Sequence, residues 1–325
     1  MSTATHREFG HGTTAAEAVE GIDLTGKLAL VTGGSSGLGV ETARALASAG
    51  AEVVITARNM SKGEAVVADI REATGNDAVS VAELDLSSLD SIRAFAKEFL
   101  AEHEALHILV NNAGVMASPP MKTQDGFELQ FGTNHVGHFL LTNLLVPALL
   151  KGTPSRVVSL TSRGHHFSPV VFDDIQFENR DYDKWAAYGQ SKTANVLFAV
   201  ELDRRLGRQG VHAYAVHPGG IMTELGRHLT DEDRERLRTR MDSTDFVWKT
   251  VPQGAATSVY AATAPELEGR GGIYLEDCHV SQVDDDPEAL DGVKSYAIDT
   301  AASAKLWEIS EELVGEKFSW RGSPE

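Results

Sequence analysis

The chain has 325 residues, with 29 lysines and arginines against 47 aspartates and glutamates, a formal charge of −18. A single cysteine, Cys278, excludes an internal disulfide scaffold and a multi-cysteine zinc ribbon. The acidic balance argues against a nucleic-acid partner, whose phosphates need clustered positive charge, and against an anionic membrane surface.

No stretch reads as membrane-spanning. The most apolar one, 139–150, is interrupted by Thr142, Asn143 and Pro147. It falls short of the roughly 20 apolar residues a crossing takes. Residues 1–21 are polar, lack the apolar segment of a secretory signal, and read as a flexible N-terminal arm. The expected location is the cytoplasm.

From Lys27 the chain alternates short apolar runs with amphipathic stretches. Strands are predicted at 28–31, 52–56, 79–84, 107–110, 156–160 and 211–216. Helices are predicted at 39–49, 61–73, 89–101, 130–150 and 187–207. Such alternation implies a parallel sheet covered by helices on both faces, with right-handed crossovers. The expected fold is a single α/β domain, doubly wound, with its ligand at the carboxyl edge of the strands. Helices 130–150 and 187–207 are apolar over more than one face. The surplus suggests a homodimer, unless the C-terminal segment covers it.

Between the first strand and its helix lie Thr32, Gly33, Gly34, Ser35, Ser36, Gly37, Leu38 and Gly39. Glycines permit a tight turn and close approach of a pyrophosphate, and the helix N-terminus offers free N–H groups. The spacing, G-x-x-x-G-x-G, differs from the common G-x-G-x-x-G, and a turn without a ligand is the alternative. After the second strand comes Arg58, with no carboxylate nearby to hold a ribose 2′-hydroxyl. A guanidinium there suits a 2′-phosphate, so NADP is the expected cofactor; the alternative is a solvated arginine. Asp85, followed by Leu86, reads either as an acceptor for adenine or as an acidic residue opening a helix.

Tyr188 and Lys192 are four apart on a predicted helix and share a face. A phenol titrates near 10, and an adjacent ammonium would lower that value, making a proton carrier for an alcohol or carbonyl. His135 and His138 fall on one predicted element and the adjacent His165 and His166 on another, so no metal site is expected. No nucleophile elbow lies at a strand end, which argues against a hydrolase.

Taken together, these motifs resemble the short-chain dehydrogenase/reductase family, from about residue 22 to 315. The resemblance rests on 32–39, on Asn111, Asn112, Ala113 and Gly114 after the fourth strand, and on Asn134. It rests also on Ser162 after the fifth strand, Tyr188 with Lys192, and Pro218-Gly219. Stretches 134–139, 190–195 and 306–310 resemble the retinol dehydrogenase and WW-domain oxidoreductase branch.

The resemblance implies a Rossmann fold and interconversion of a bulky apolar alcohol with its ketone or aldehyde. A cofactor-binding protein without turnover is the rival. The resemblance makes Tyr188 the general acid/base, Lys192 the ligand of the nicotinamide ribose, and Ser162 the holder of the substrate oxygen. Asn134 would place a relay water. Asn112, Ala113 and Gly114 would line the adenine side, and Pro218, Gly219, Ile221 and Thr223 the nicotinamide. A lid is expected at about 222–250, where Met222, Leu225, Leu229, Phe246 and Trp248 would line an apolar pocket. A C-terminal extension and a tail, 316–325, complete the chain. Ser162 and Tyr188 are 26 apart, and an insertion at 172–178 should border the site's mouth.

Overall fold

A computed structural model describes residues 8–242 and 247–320. Eight strands form one sheet in the order β3-β2-β1-β4-β5-β6-β7-β8. The first six are β1 (Leu28–Val31), β2 (Glu52–Ala57), β3 (Val79–Glu83), β4 (Ile108–Asn111), β5 (Ser155–Leu160) and β6 (Val211–His217). All pair in parallel, as does β7 (Ile273–Glu276). The sheet is not wholly parallel, because β8 (His279–Val280) adds an antiparallel edge. The order reverses between β1 and β4, the crevice where doubly wound sheets bind their ligands.

Alternate residues of each strand enter opposite cores. Leu28 and Leu30 pack on one face, Ala29 and Val31 on the other. The first face is covered by α4 (Leu89–Glu102), α6 (Gly137–Lys151), α7 (Lys184–Leu206) and α10 (Thr300–Val314). The second is covered by α1 (Ala15–Val19), α2 (Gly37–Ser48), α3 (Met60–Thr74) and α9 (Val251–Thr263).

Four expectations are corrected. The arm is not a flexible lead-in over its described part: Ala15, Ala18 and Val19 are buried, and Thr14 and Glu17 form a capping box. The apolar surplus of α6 and α7 is covered within the chain. Trp307 of α10 lies 4.9 Å from Phe139 and 6.0 Å from Phe198. The apolar surplus of α6 and α7 therefore does not point to a homodimer. The described part of the tail also packs, with Phe318 6.0 Å from Phe139 and Trp320 6.1 Å from Trp307.

The fourth concerns the helix expected at 130–150, which is composite. A short α5 (Leu129–Phe131) runs into a π segment, Gly132–Val136, before α6 begins. Such a bulge widens the hydrogen-bond ladder, here Gly137 N–H to the Gly132 carbonyl, and re-aims the side chains it carries.

Candidate active site

Because the strands are parallel, their carboxyl ends share one edge. The glycine turn follows β1, Arg58 follows β2, Asp85 lies just past β3, Asn112 follows β4, Ser162 lies just past β5, and Pro218 follows β6. A cleft of about 880 Å³ opens there. Its lining includes Ser35, Arg58, Asp85, Asn112, Ser162, Tyr188, Lys192 and Pro218, but neither Gly39 nor Asn134.

Gly39 acts from behind the wall. A Cβ there would stand 2.5 Å from the Gly33 carbonyl oxygen and 2.6 Å from Asn112 Nδ2. Gly37 opens α2 at a φ of +54°, which L side chains rarely adopt. Ser36, the N-cap of α2, makes no side-chain capping bond, so the helix's first N–H groups turn to the cleft uncapped. Asn112 ties the turn to β4, its Nδ2 donating to the Thr32 carbonyl at 2.7 Å.

Asn134 reaches α7 from the π segment. Its Oδ1 accepts from Val115 N–H at 2.8 Å, and its Nδ2 donates to the Val115 carbonyl and to Ser191 Oγ, both at 2.9 Å. The side chain is thus spent on fixing the loop after β4. The Asn134 carbonyl is 2.9 Å from His138 Nδ1, and the other ring nitrogen of His138 is 2.9 Å from Thr32 Oγ1. His138 therefore joins the glycine turn to the π segment, a role no spacing disclosed.

Tyr188 and Lys192 are both 4% exposed. The phenol lies beside the Ser162 hydroxyl: a Cβ on Gly164 would stand 2.6 Å from Tyr188 Cε1 and 3.3 Å from Ser162 Oγ. Ser162 Oγ accepts from Gly164 N–H at 2.9 Å, which leaves its own proton free to turn toward an oxygen in the cleft. Lys192 Nζ donates to the Leu160 carbonyl at 3.0 Å and lies 5.6 Å from the Tyr188 ring centre.

The expected lowering of the phenol is absent from this arrangement. Burial pushes Tyr188 up to about 12, only partly countered by the nearby Ser162 hydroxyl, and burial brings Lys192 down to about 8. Desolvation is the largest cause for both groups, and it disfavours the charged form of each.

Asp85 Oδ1 accepts from Ser87 N–H at 2.9 Å and from Ser87 Oγ at 2.7 Å, while Ser88 caps α4. Asp85 thus shapes the turn before α4 and still faces the cleft. Gly219 sits at a φ of +94°, where a Cβ would meet Lys249 Cδ at 2.7 Å. Lys249, which the sequence reading passed over, is buried, ion-paired with Asp277, and bridges in parallel to Ile221.

The lid region holds a 3-10 turn, Glu224–His228, and α8 (Asp231–Asp242). Met222, Leu225, Leu229 and Trp248 line the cleft; Phe246 lies outside the described residues. Met121, Phe167 and Trp185 extend the apolar wall. The insertion at 172–178 does not border the cleft. Gln176 accepts from Glu128 N–H at 2.7 Å, and the Ile175 carbonyl accepts from Gln190 at 2.9 Å.

The histidines are structural contacts. Burial holds His135 down to about 3, and its Nε2 lies 2.8 Å from Ser310 Oγ. His165, also brought to about 3 by burial, lies 2.8 Å from the Ser162 carbonyl. His166 contacts the Gly292 carbonyl at 3.0 Å.

A dinucleotide fits these residues. Cβ atoms at Gly33, Gly34 and Gly39 would clash with Ala113, Ile55 and the Gly33 carbonyl, so only glycines let the turn pack this closely with its backbone at the cleft. Lys192 carries three donors with one protein acceptor among the described residues, leaving two for ribose hydroxyls. Fold and site together define a nicotinamide-dependent oxidoreductase.

Comparison with known proteins agrees. Residues 27–234 match the family model for short chain dehydrogenase. The chain is 44% identical over 294 residues to human retinol dehydrogenase 11, covering 90% of this chain and 87% of that one. A crystal structure from Mycobacterium paratuberculosis is 35% identical with a TM-score of 0.72, covering 95% of this chain and 100% of the other. The Pseudomonas aeruginosa RhlG/NADP complex is 27% identical with a TM-score of 0.62, covering 78% and 96%. The chain belongs to the short-chain dehydrogenase/reductase family, in its retinol dehydrogenase-like branch.

Proposed function

We propose that the protein is an NADP-dependent oxidoreductase that interconverts a bulky apolar alcohol and its ketone or aldehyde. The observation that carries this reading is Tyr188 beside Ser162 on the wall of a cleft that Lys192 and the glycine turn also line.

The nicotinamide ring, when bound, supplies or accepts the hydride. The protein's own groups handle the oxygen and the proton. Ser162 donates to the substrate oxygen, and Tyr188 passes its proton to that oxygen as a carbonyl is reduced, or takes one from an alcohol. Lys192, held by Leu160, orients the ribose and faces the phenol. At neutral pH the phenol is protonated, the form that gives its proton to a carbonyl oxygen during reduction.

Arg58 beside the glycine turn supports NADP, as does the RhlG/NADP complex among the solved relatives. The cleft's apolar members, Met121, Phe167, Met222, Leu225 and Trp248, support a large apolar substrate. Retinol, in the name of the human relative, is an alcohol of that kind.

The test is a panel of apolar carbonyls and alcohols, run with both cofactors and followed at the reduced-nicotinamide absorbance band. Turnover of bulky apolar compounds with NADPH is expected; turnover confined to small polar compounds contradicts the reading. Arg58→Asp should weaken NADPH relative to NADH, and an unchanged ratio contradicts the NADP assignment.

A further inference from the structure

Arg227 belongs to the 3-10 turn Glu224–His228, far in sequence from β2, yet it lines the same cleft as Arg58. Neither guanidinium forms an ion pair with a carboxylate among the described residues. The nearest acid is committed elsewhere: Glu224 accepts from Lys62 Nζ at 2.8 Å and from the Ser36 side chain. Arg227 itself makes one long bond, Nη1 to the Glu224 carbonyl at 3.4 Å. Partial burial and the charge of Arg58 hold Arg227 below the ordinary guanidinium range.

Glu224 offsets part of the Arg227 charge, yet two like charges lining one cleft still favour an anion that joins them. The chemistry of that anion follows from the donors. Two planar forks suit the oxygens of a phosphate monoester, which accepts paired N–H bonds from each. Its place follows from the fold. Arg58 is the residue after β2, while the pyrophosphate position lies at the N-terminus of α2. The Lys62–Glu224 pair already ties this turn to α3, whose N-cap Asn59 follows Arg58.

We propose that Arg227 is the second arm of the site for the adenosine 2′-phosphate, so that a phosphorylated dinucleotide fastens the turn 224–228 to the cofactor. The proposal rests on the NADP reading above. It adds a specificity residue from the substrate side of the cleft and couples cofactor identity to the wall that meets substrate.

The test is binding, not turnover. Titrations of the full chain with NADPH, NADH, 2′,5′-ADP and 5′-AMP are read by intrinsic tryptophan fluorescence for wild type, Arg58→Gln and Arg227→Gln. Loss of one charge-assisted contact predicts that Arg227→Gln weakens NADPH and 2′,5′-ADP roughly tenfold while NADH and 5′-AMP are unchanged. Hydrogen exchange of a peptide covering 224–229 should slow more with NADPH than with NADH in wild type, and equally with both in Arg227→Gln. Three results overturn the proposal: an NADPH-to-NADH ratio in Arg227→Gln equal to that of wild type, all four ligands weakened alike, or wild-type exchange slowed equally by both dinucleotides. If wild type shows no preference for NADPH and Arg58→Gln leaves the ratio unmoved, the NADP reading itself has failed. Inorganic phosphate competing as well as 2′,5′-ADP would show an unspecific anion site and overturn the assignment.

Discussion

Gly164→Ala isolates the position of one phenol. A Cβ at residue 164 would lie 2.6 Å from Tyr188 Cε1, 2.8 Å from Cδ1 and 3.3 Å from Ser162 Oγ. Carbon–carbon contacts settle at roughly 3.5–4.0 Å, so something must move by about 1 Å. The turn is the firmer side. His165 N–H donates to the Ser162 carbonyl at 3.0 Å, and Lys294 N–H donates to His165 Nε2 at 3.1 Å. Gly189 closes the other side, since a Cβ there would already be 2.8 Å from the Gly164 carbonyl oxygen. The ring therefore shifts, and the phenol is displaced relative to Ser162. A misplacement of about 1 Å at a reacting group costs on the order of 100-fold in rate. Overpacking should cost about 1–3 kcal/mol of stability, within what a folded domain tolerates. Steady-state kinetics, NADPH titration and thermal unfolding together form the assay. The expected result is kcat down by about two orders of magnitude with NADPH affinity unchanged. Wild-type kcat, or a loss matched by equal loss of NADPH binding, refutes the reasoning.

Acid should destabilise the fold before carboxylates titrate. Burial depresses His135, His138 and His165 to about 3, 4 and 3, so between pH 6.5 and about 4 the unfolded chain binds up to three more protons. Stability is then full above pH 6.5 and falls as pH drops, by up to about 4 kcal/mol per pH unit near pH 5. Urea unfolding at pH 7, 6 and 5 reads this slope, and equal stability at all three pH values contradicts it. Trp307→Ala should cost about 3–5 kcal/mol, because the ring is 1% exposed between α6, α7 and α10. A chemical-denaturation loss under about 1 kcal/mol would show that α10 is dispensable to the core.

The six strands from β1 to β6 were legible because each is a short apolar run between amphipathic helices, and their shared edge then follows from topology. β7 escaped notice because it spans four residues behind Gly271 and Gly272, and β8 spans two. The π segment leaves the apolar pattern of 130–150 intact, so periodicity could not separate it from α-helix. Tyr188 and Lys192 were legible by spacing. Their titration was not, because it depends on burial that only packing determines. Gly164 and His138 gave no signal, since their work is done against partners 24 and 106 positions away, Tyr188 and Thr32. Arg227 lies beside a run of charges at 231–236 that reads as a solvated face, and the fold alone brings it to Arg58.

On this reading a single phenolic oxygen, that of Tyr188 beside Ser162 and Lys192, carries the proton of the redox step. Tyr188→Phe removes that oxygen and keeps the ring. With an apolar carbonyl substrate and NADPH, turnover should fall by at least about 100-fold while NADPH binding, read by fluorescence, is retained. A Tyr188→Phe enzyme that turns over near the wild-type rate would contradict the account.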